Sequence, residues 1–440
     1  MMISTLLFLV VSMTMIFGLA GPILKRQKIT SQTLLSRQSY FLAEAGIENV
    51  VYRLKTGQTV DTAEALNLAG STVTIVTTNT ADGKQVVANA VVNESVRKIK
   101  VDLIQGTGIA FHYGVQVGQG GLEMSNTAKI IGNVYSGGNI IGTNSARIQG
   151  TAIVSGPIGI IDGVDIDGDA WSHTIKGIST VGGNANHAVL QNTTVTGNVV
   201  ADSISNCTIG GTATYDTRAS CTVAGATVTP NPTVFTPAAT LPLPISEEQI
   251  DIWEQEAIAG GVTIGQTFSS GTRSLGPVKI NGNLDLSDTA KLIVTGTIWV
   301  TGKIKLSNNA ILSLAPSYGN SSGLVMAGVD ENVVEGDIEI SNSAQALGSG
   351  SAGSYIMLLS QKEGIGSDAI KTSNSSAAAI LYAGEGQIEI SNSAALKEVT
   401  AYKLKINNSA TVTYESGLAN SNFSSGPGGG YAISSWKEIE

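Results

Sequence analysis

Short apolar runs with period two, each followed by the same polar turn, recur along most of this chain. Residues 338–344 read IEISNSA and are the clearest copy. Alternation of apolar and polar residues with period two is typical of β-strands and not of helices. Close copies begin at Leu122, Leu284, Ile304, Ile388 and Leu404, and looser ones at Thr143 and Ile370.

The spacing of these copies predicts a solenoid. Their asparagines or equivalents, at 288, 308, 342, 374, 392 and 408, are 16 to 34 residues apart. Because the longest steps are about twice the shortest, one period of roughly 16 to 20 residues fits them all. Stacked units of that size bury a continuous core, and polar turn residues can hydrogen-bond along the stack. We therefore predict a mainly β fold, a right-handed parallel β-helix (solenoid).

The N-terminus is apolar enough to form a membrane anchor. Residues 1–24 contain no charged side chain, and about 20 apolar residues span a bilayer. A cleaved signal peptide is the alternative, but the basic start of such a peptide is missing. We predict a transmembrane helix at 1–24. The residues expected in the bilayer include Leu6, Phe8, Val10, Ile16 and Leu19.

The pattern then becomes that of an amphipathic helix and a small sheet. Apolar residues continue at helical spacing as far as Leu54. Strand patterns follow at 71–78, 84–92 and 95–104, which indicates an antiparallel meander able to cover the helix. The solenoid is therefore expected to follow a long N-terminal transmembrane and amphipathic α-helix and a small antiparallel sheet.

This arrangement resembles a known family. The apolar helix, the stretch SYFLAEAGIENVVYRLKTG at 39–57 and the small sheet are similar to the type IV pilin-like family, in particular to PilX-type minor pilins. The remainder is similar to β-helical regions carried by such stems in bacterial surface proteins. The resemblance implies a pilin-like stem at 25–105 and pilin-like subunits as partners. It also implies a cell-envelope location, as a single-pass membrane protein with an extracellular C-terminal domain or in a pilus.

The rest of the chain divides at a proline-rich stretch. Five prolines lie between 230 and 244, and a helix-capping pattern begins at Ser246. We predict a first β-helix section at 106–229, a crossing segment with a short helix at 230–261, and a second β-helix section at 262–440. The strand at 431–440, with Trp436, is expected to cap the solenoid because exposed sheet edges invite aggregation.

Charge and cysteines limit the partners. The net charge of −9 argues against a nucleic-acid surface, which leaves the membrane and surface glycans as candidate partners. Cys207 and Cys221 lie close together and predict one local disulfide in an exported protein. The charges at Lys25, Arg26 and Lys28 favour a cytoplasmic main body, whereas a disulfide and a solenoid favour the outside, which we expect.

Few residues suggest chemistry. The acidic cluster Asp162, Asp165, Asp167 and Asp169 is a candidate Ca²⁺ site, with turns between strands as the alternative. The histidines His112, His173 and His187 lack a zinc-like spacing. Asp285, Asp288, Glu339 and Glu389, beside Lys305 and Lys405, could serve a polysaccharide-active enzyme, but alternating charges on stacked strands are more simply cross-strand pairs. We therefore expect no catalysis, and no cofactor beyond the candidate calcium.

These observations predict a membrane-anchored cell-surface structural or adhesive protein, a type IV pilus-like minor component that displays a rigid β-helix. Two alternatives remain open. One is a self-assembling envelope filament or scaffold protein, and the other is a polysaccharide-active β-helix enzyme.

Overall fold

The structure is a computed structural model that describes residues 2–55, 60–68, 70–80, 83–105, 107–109, 111–177, 179–329, 335–423 and 431–439. The chain forms two compact units. One contains residues 1–105 and 428–440, and the other contains residues 106–427.

The first unit is a long helix with an antiparallel sheet. Helix α1 spans Met2–Lys55, and its C-terminal turns bury Ala43, Ile47 and Val50 against the sheet. The strands alternate buried and exposed residues because only one face meets the helix. The sheet pairs in chain order through β1 (Ala63–Leu68), β2 (Ser71–Thr80), β3 (Gly83–Val92) and β4 (Ser95–Gln105). The sequence indicated only three strands here, so β1 is an additional strand.

The last strand of the chain, Tyr431–Ile439, completes this same sheet. It pairs antiparallel with β4, with Trp436 opposite Val101. We expected this strand to cap the solenoid, but it covers the otherwise open edge of β4. The solenoid is therefore an insertion between β4 and the C-terminal strand.

The second unit is a parallel β-solenoid, as predicted. Each turn, or rung, places one strand on each of three faces, which we name by one strand each: face A by Val134–Ser136, face B by Ile140–Gly142 and face C by Arg147–Gln149. The strands of the first section are Val115–Met124, Lys129–Ile131, Val134–Ser136, Ile140–Gly142, Arg147–Gln149, Ala152–Val154, Ile160–Asp162, Asp165–Ile166, Ala170–Trp171, Thr174–Lys176, Ser179–Val181, Ala185–Asn186, Val189–Gln191, Thr193–Val195, Val199–Val200, Ser203–Ser205, Thr208–Ile209, Ala213–Thr214, Thr217–Ala219, Thr222–Val223 and Thr227–Val228. Those of the second section are Val262–Phe268, Thr272–Leu275, Val278–Leu286, Lys291–Val294, Ile298–Val300, Ile304–Leu306, Ile311–Leu314, Gly323–Ala327, Ile338–Ile340, Gln345–Leu347, Ile356–Ser360, Gly364–Thr372, Ala377–Ile390, Ala395–Ile406 and Thr411–Thr413.

The chain enters the solenoid at its middle. Strand Val115–Met124 stacks on Ala395–Ile406, and Lys129–Ile131 stacks on Thr411–Thr413. We call this contact between the rungs 399–413 and 115–131 the central joint. The first section grows away from the joint, and the second section starts at the far end and grows back to it. Both sections therefore form one continuous stack.

The two chain segments at the joint lie side by side. Thr107–Ile109 pairs antiparallel with Ser421–Phe423, and the rings of Phe111 and Phe423 meet edge to face with centroids 6.3 Å apart. Phe423 also packs near Trp253. Two short 3₁₀ helices, Pro316–Tyr318 and Ser416–Asn420, complete the unit.

The proline-rich segment 230–261, which we call the strap, connects the two ends of the stack. It runs along face A past successive rungs: Trp171 Nε1 donates to Thr236 O at 3.2 Å, Tyr135 Oη to Ala239 O at 2.9 Å, and Tyr382 Oη to Ile245 O at 3.0 Å. Its second half is helix α2 (Glu247–Ala259), capped by Ser246 and buried through Ile250, Trp253 and Ala257. The predicted helix is present, and Ile258 near its end is 37% exposed.

The rungs are less regular than the sequence suggested. We expected the long steps, such as 308 to 342, to hide a second rung. Instead Ile304–Leu306 stacks directly on Ile338–Ile340, which stacks directly on Ile370–Thr372. Loops of variable length, including the 3₁₀ helix at 316–318, absorb the extra residues at the corners, where a solenoid tolerates insertions.

Polar residues close the end rung of the second section. Thr263, Gln266 and Arg273 occupy columns that hold Ile280, Leu284 and Leu292 in the next rung. Gln266 Nε2 donates to the Thr263 hydroxyl and to Ile264 O. Phe268 and Leu275 continue two other columns as apolar groups. The three polar positions nevertheless disfavour stacking of another solenoid on this end.

The end rung of the first section is closed in the same way. Arg218 stands where Ile204 stands one rung before, and Thr227 where Ala213 stands. The Arg218 guanidinium donates to Cys221 O. The methylene groups of Arg218 can therefore cover the core while the charged group remains hydrogen-bonded.

The double substitution Gln266→Leu/Arg273→Leu should promote end-to-end association. It extends two apolar columns to the end of the stack, which another molecule can then cover. Sedimentation velocity of the full chain should show larger species that grow with concentration, relative to the unchanged chain. Thr267→Leu, at an outward position of the same rung, is the control. Equal sedimentation of the double variant and this control would contradict the capping role.

Candidate functional site

A row of amide side chains follows one corner of the stack, between faces B and C. Each Nδ2 donates to the Oδ1 of the preceding rung, over distances of 2.8 to 3.2 Å. The row crosses the central joint, where Asn126 donates to Asn408 at 2.9 Å. This asparagine ladder comprises, in order, Asp288, Asn308, Asn342, Asn374, Asn392, Asn408, Asn126 and Asn144.

The repeated Ser-Asn-Ser-Ala sequence fits the left-handed backbone conformation at this corner. The ladder residues have φ between 51° and 56°, and most of the residues that follow them are also left-handed, as Ser343 is at 65°. Asparagine tolerates this conformation better than other residues with a side chain, because its short polar group bonds locally. The motif therefore codes for a tight corner as well as for the ladder.

The ladder is polarised. All its amides donate in the same direction, towards Asp288, which can only accept. The carboxylate of Asp288 also accepts from the Ser287 hydroxyl at 3.1 Å. Aligned amide dipoles place their positive ends towards this charge, so Asp288 terminates the ladder and is engaged in structure.

The other three carboxylates considered for catalysis, Asp285, Glu339 and Glu389, lie in a column of alternating charge on face B. Lys305 Nζ lies 3.8 Å from Glu339, and Lys371 Nζ lies 3.9 Å from Glu389. The column crosses the central joint, where Lys405 stands in register with Glu123. Opposite charges at neighbouring positions stabilise one register and disfavour others. The members in order are Asp285, Lys305, Glu339, Lys371, Glu389, Lys405 and Glu123.

The four aspartates of the candidate calcium site have separate partners. Asp162 pairs with Lys176, and Asp167 pairs with Arg147. Asp165 accepts from the amide and hydroxyl of Thr180, and Asp169 accepts from the amide of Asn184. Within the described residues no three His, Cys, Asp or Glu side chains come together to hold a metal ion; the calcium site stays a prediction. Asp165 and Asp169 accept from amides of the next rung.

Cys207 and Cys221 form a disulfide in the structure, with a Cα–Cα distance of 4.4 Å. The two residues are separated by 14 positions, the length of one rung in this part of the stack. The bond therefore links stacked rungs next to the polar end formed by Arg218. It restrains the part of the solenoid where the rungs are smallest.

The histidines have structural surroundings. His187 is buried, neither ring nitrogen has a hydrogen-bond partner among the described residues, and burial lowers its pKa to about 3. Its imidazole is therefore neutral. His173 Nδ1 lies 3.0 Å from the Thr174 hydroxyl, and its ring packs edge to face on Phe235 of the strap. His112 is exposed beside Phe111.

Glu398, which no sequence motif singles out, is fully buried next to the rung 399–413. Its Oε1 accepts from the Thr400 hydroxyl at 2.7 Å, and Oε2 has no partner in the part of the chain that the structure describes. Burial raises the pKa of Glu398 well above its usual value, and the Thr400 hydrogen bond opposes this only in part. Thr400 is in register with Gln116 and Tyr382, whose side chains donate to the strap. Glu398 therefore lies on the side of face A that the strap covers, and the sequence pattern alone does not indicate its burial.

The proposed membrane residues fall in helix α1. The side chains of Leu6, Phe8, Val10, Ile16 and Leu19 lie outside the part of the chain that the structure describes. Over the described residues, no helix combines the length and the apolar content needed to cross a membrane.

Comparison with known proteins gives distant structural neighbours. No protein-family model matches the chain, and no curated protein matches it. A solved structure of the competence-associated pilin ComZ from Thermus thermophilus is similar at 11% identity and a TM-score of 0.27, over 92% of this chain and 97% of that one. An ice-binding protein from an Antarctic bacterium of the Flavobacteriaceae is similar at 13% identity and a TM-score of 0.18, over 69% and 82%. At these TM-scores neither neighbour bears on the assignment below.

Asn408→Gly should reduce the free energy of unfolding by about 1–3 kcal/mol, the contribution of two neutral hydrogen bonds. Glycine keeps the left-handed backbone at φ 52° and removes only the amide. Asn309→Gly is the matched control, since Asn309 is also left-handed, at 66°, but lies outside the ladder. Chemical denaturation should separate the two variants, and equal losses would contradict a stabilising ladder.

Glu398→Gln should flatten the dependence of stability on pH. Below about pH 4.3, the pKa of an unfolded glutamate, the folded and unfolded chains both hold the proton. Above that value only the folded chain retains it, so the free energy of unfolding falls as pH rises towards the raised folded pKa, by up to about 1.4 kcal/mol per unit. Denaturation of both proteins from pH 4 to 8 measures the slopes. Parallel slopes would contradict this account.

Proposed function

We propose that this protein is a membrane-anchored structural component of the cell surface, related to pilus subunits, that displays the solenoid as a rigid ectodomain. The observation that carries the proposal is the uneven packing of helix α1. Its C-terminal turns are buried on the sheet, with Ile47 and Val50 fully covered. Its preceding turns expose apolar side chains: Ile23, Leu24, Ile29 and Leu34 are each 57% to 63% exposed.

These four apolar side chains alternate with charged ones at Lys25, Arg26 and Lys28, and they gain stability when another apolar surface covers them. Lipid would cover the apolar residues 1–24, and helices of neighbouring subunits would cover the turns from Ile23 to Leu34. Both coverings occur together in a filament that is assembled from a membrane. The resemblance of residues 39–57 to type IV pilin-like proteins supports the same assignment.

The insertion of the solenoid suits display. The chain leaves the small sheet after β4, forms the solenoid, and returns to the sheet as the strand Tyr431–Ile439. All strands of the small sheet therefore lie outside the solenoid. The polar end rungs, with Arg218 and Arg273 in core columns, favour an ectodomain that does not stack on other copies. This argues for display over the alternative of a scaffold built from stacked solenoids.

We further propose that the role is non-catalytic. Three of the four carboxylates that could act on a polysaccharide are engaged: Glu339 pairs with Lys305, Glu389 with Lys371, and Asp288 ends the asparagine ladder. The fourth, Asp285, stands in register with Lys305 in the same column of alternating charge. A general acid or a nucleophile needs a carboxyl group facing a substrate, whereas these groups stabilise the stacking of rungs.

Immunogold electron microscopy of cells that express the tagged full chain should place it on the surface or along surface filaments. Ile29→Glu/Leu34→Glu should remove it from those filaments, because two added charges in the exposed turns of α1 oppose apolar packing against a neighbouring helix. Ile158→Glu, at a solenoid residue that is 79% exposed, should leave the location unchanged. A diffuse cytosolic signal from the unchanged chain would contradict the proposal.

A further inference from the structure

A polar notch of about 600 Å³ opens at the corner between faces B and C in the first section of the solenoid. It spans several successive rungs, so it is longer than one side chain. It has no Lys, Arg, aromatic or aliphatic side chain in its lining. The lining residues are Asn144, Ser145, Gly163, Asp165, Ser179, Thr180, Asn192, Thr193, Thr194, Asn206 and Thr208.

The notch lies where the rungs become shorter. Successive face A strands are 18 residues apart from Ala152 to Ala170 and 14 apart from Val199 to Ala213. The corners change with them: the ladder corner at Asn144 and Ser145 has two left-handed residues, whereas the corner at Asn192 has one. The next two corners are Gly163 and Gly177, which have no side chain to continue the asparagine ladder. The ladder therefore stops at Asn144, which lines one end of the notch.

The side chains in the notch have unused hydrogen-bonding capacity. Asn192 and Asn206 occupy the same corner as the ladder and lie one rung apart, but their amides are not bonded to each other or to any other described side chain. Thr194 and Thr208, in register on face C, likewise have hydroxyls without a partner among the described residues. All four are exposed. These groups form two parallel rows of donors and acceptors at the strand spacing.

The chemistry of the lining selects the ligand. Neutral amides and hydroxyls both donate and accept, which matches a ligand whose own groups are hydroxyls. An anionic polymer would require Lys or Arg, and an apolar ligand would require an apolar wall. A peptide strand binds by adding to a sheet edge, whereas Thr194 and Thr208 project from the face of a sheet.

We propose that this notch binds a neutral glycan chain along the solenoid axis. Asn192 and Asn206 bond to hydroxyls on one side of the chain, and Thr194 and Thr208 bond to those on the other. The polarised ladder adds an acceptor at Asn144 Oδ1, and Asp165 adds a carboxylate that Thr180 holds in place at 2.7 Å. The proposed surface role explains where the protein would meet a glycan. The binding itself does not depend on that role and can be measured with the purified chain.

The test uses the purified full chain with immobilised dextran, mannan and galactan as neutral probes, and alginate and polygalacturonate as acidic ones. At least one neutral polysaccharide should retain the protein, and the acidic ones should not. Thr194→Val/Thr208→Val should weaken the retained interaction about tenfold, the loss expected for two hydrogen bonds. Asn192→Gly/Asn206→Gly, which keeps the left-handed backbone, should weaken it similarly.

Two matched controls lie one rung beyond the notch. Thr222→Val changes the next threonine of the same column, and Ser220→Gly changes the next left-handed corner, with φ 52°. Both should bind as the unchanged chain does, and circular dichroism should be the same for all variants. Failure of every neutral polysaccharide to bind, binding of the acidic ones instead, or equal loss in the controls would overturn the proposal. A surface location without glycan binding would leave the display role intact, and glycan binding by a cytosolic protein would refute only that role.

Discussion

The architecture depends on the stacking of two rungs that are remote in sequence. At the central joint, the strand that contains Val115 and Leu122 pairs with the strand that contains Val399 and Leu404. Three columns cross this contact without a break: the apolar core, the asparagine ladder and the alternating charges. Each column contributes only a small free energy per rung, but all three require the same register. The joint is therefore specified by the interactions that specify every other contact in the stack.

The strap follows from this arrangement. A solenoid that grows in one direction needs no return segment, whereas one that begins at its middle must carry the chain from one end to the other. The strap covers that distance with an extended, proline-rich half and with helix α2, and it bonds to rungs of both sections, as Tyr135 and Tyr382 show. It therefore fastens the two sections to each other on face A, on the opposite side of the core from the ladder corner.

Much of the fold could be predicted, because alternation and the Ser-Asn-Ser-Ala corner act locally. The order of the rungs could not, since the rungs share one pattern and the sequence does not say which one follows Asn408. The number of rungs could not be predicted from the spacing either, because Asn308 and Asn342 lie on neighbouring rungs although they are 34 positions apart. At the candidate sites, the pairing of Glu339 and Glu389 with lysines could be inferred from alternation. The notch near Asn192 could not, because it depends on where the rungs shorten.

The separation of the joint in sequence has a kinetic consequence. Asn126 and Asn408 are 282 residues apart, and contacts of such high order form slowly. Each section can extend rung by rung on its own neighbours, but the joint cannot close until both sections and the strap exist. We therefore expect joint closure to be a late step of folding. Until then Val115–Met124 and Ala395–Ile406 present unpaired edges in the middle of the future stack, and self-association of nascent chains would begin there.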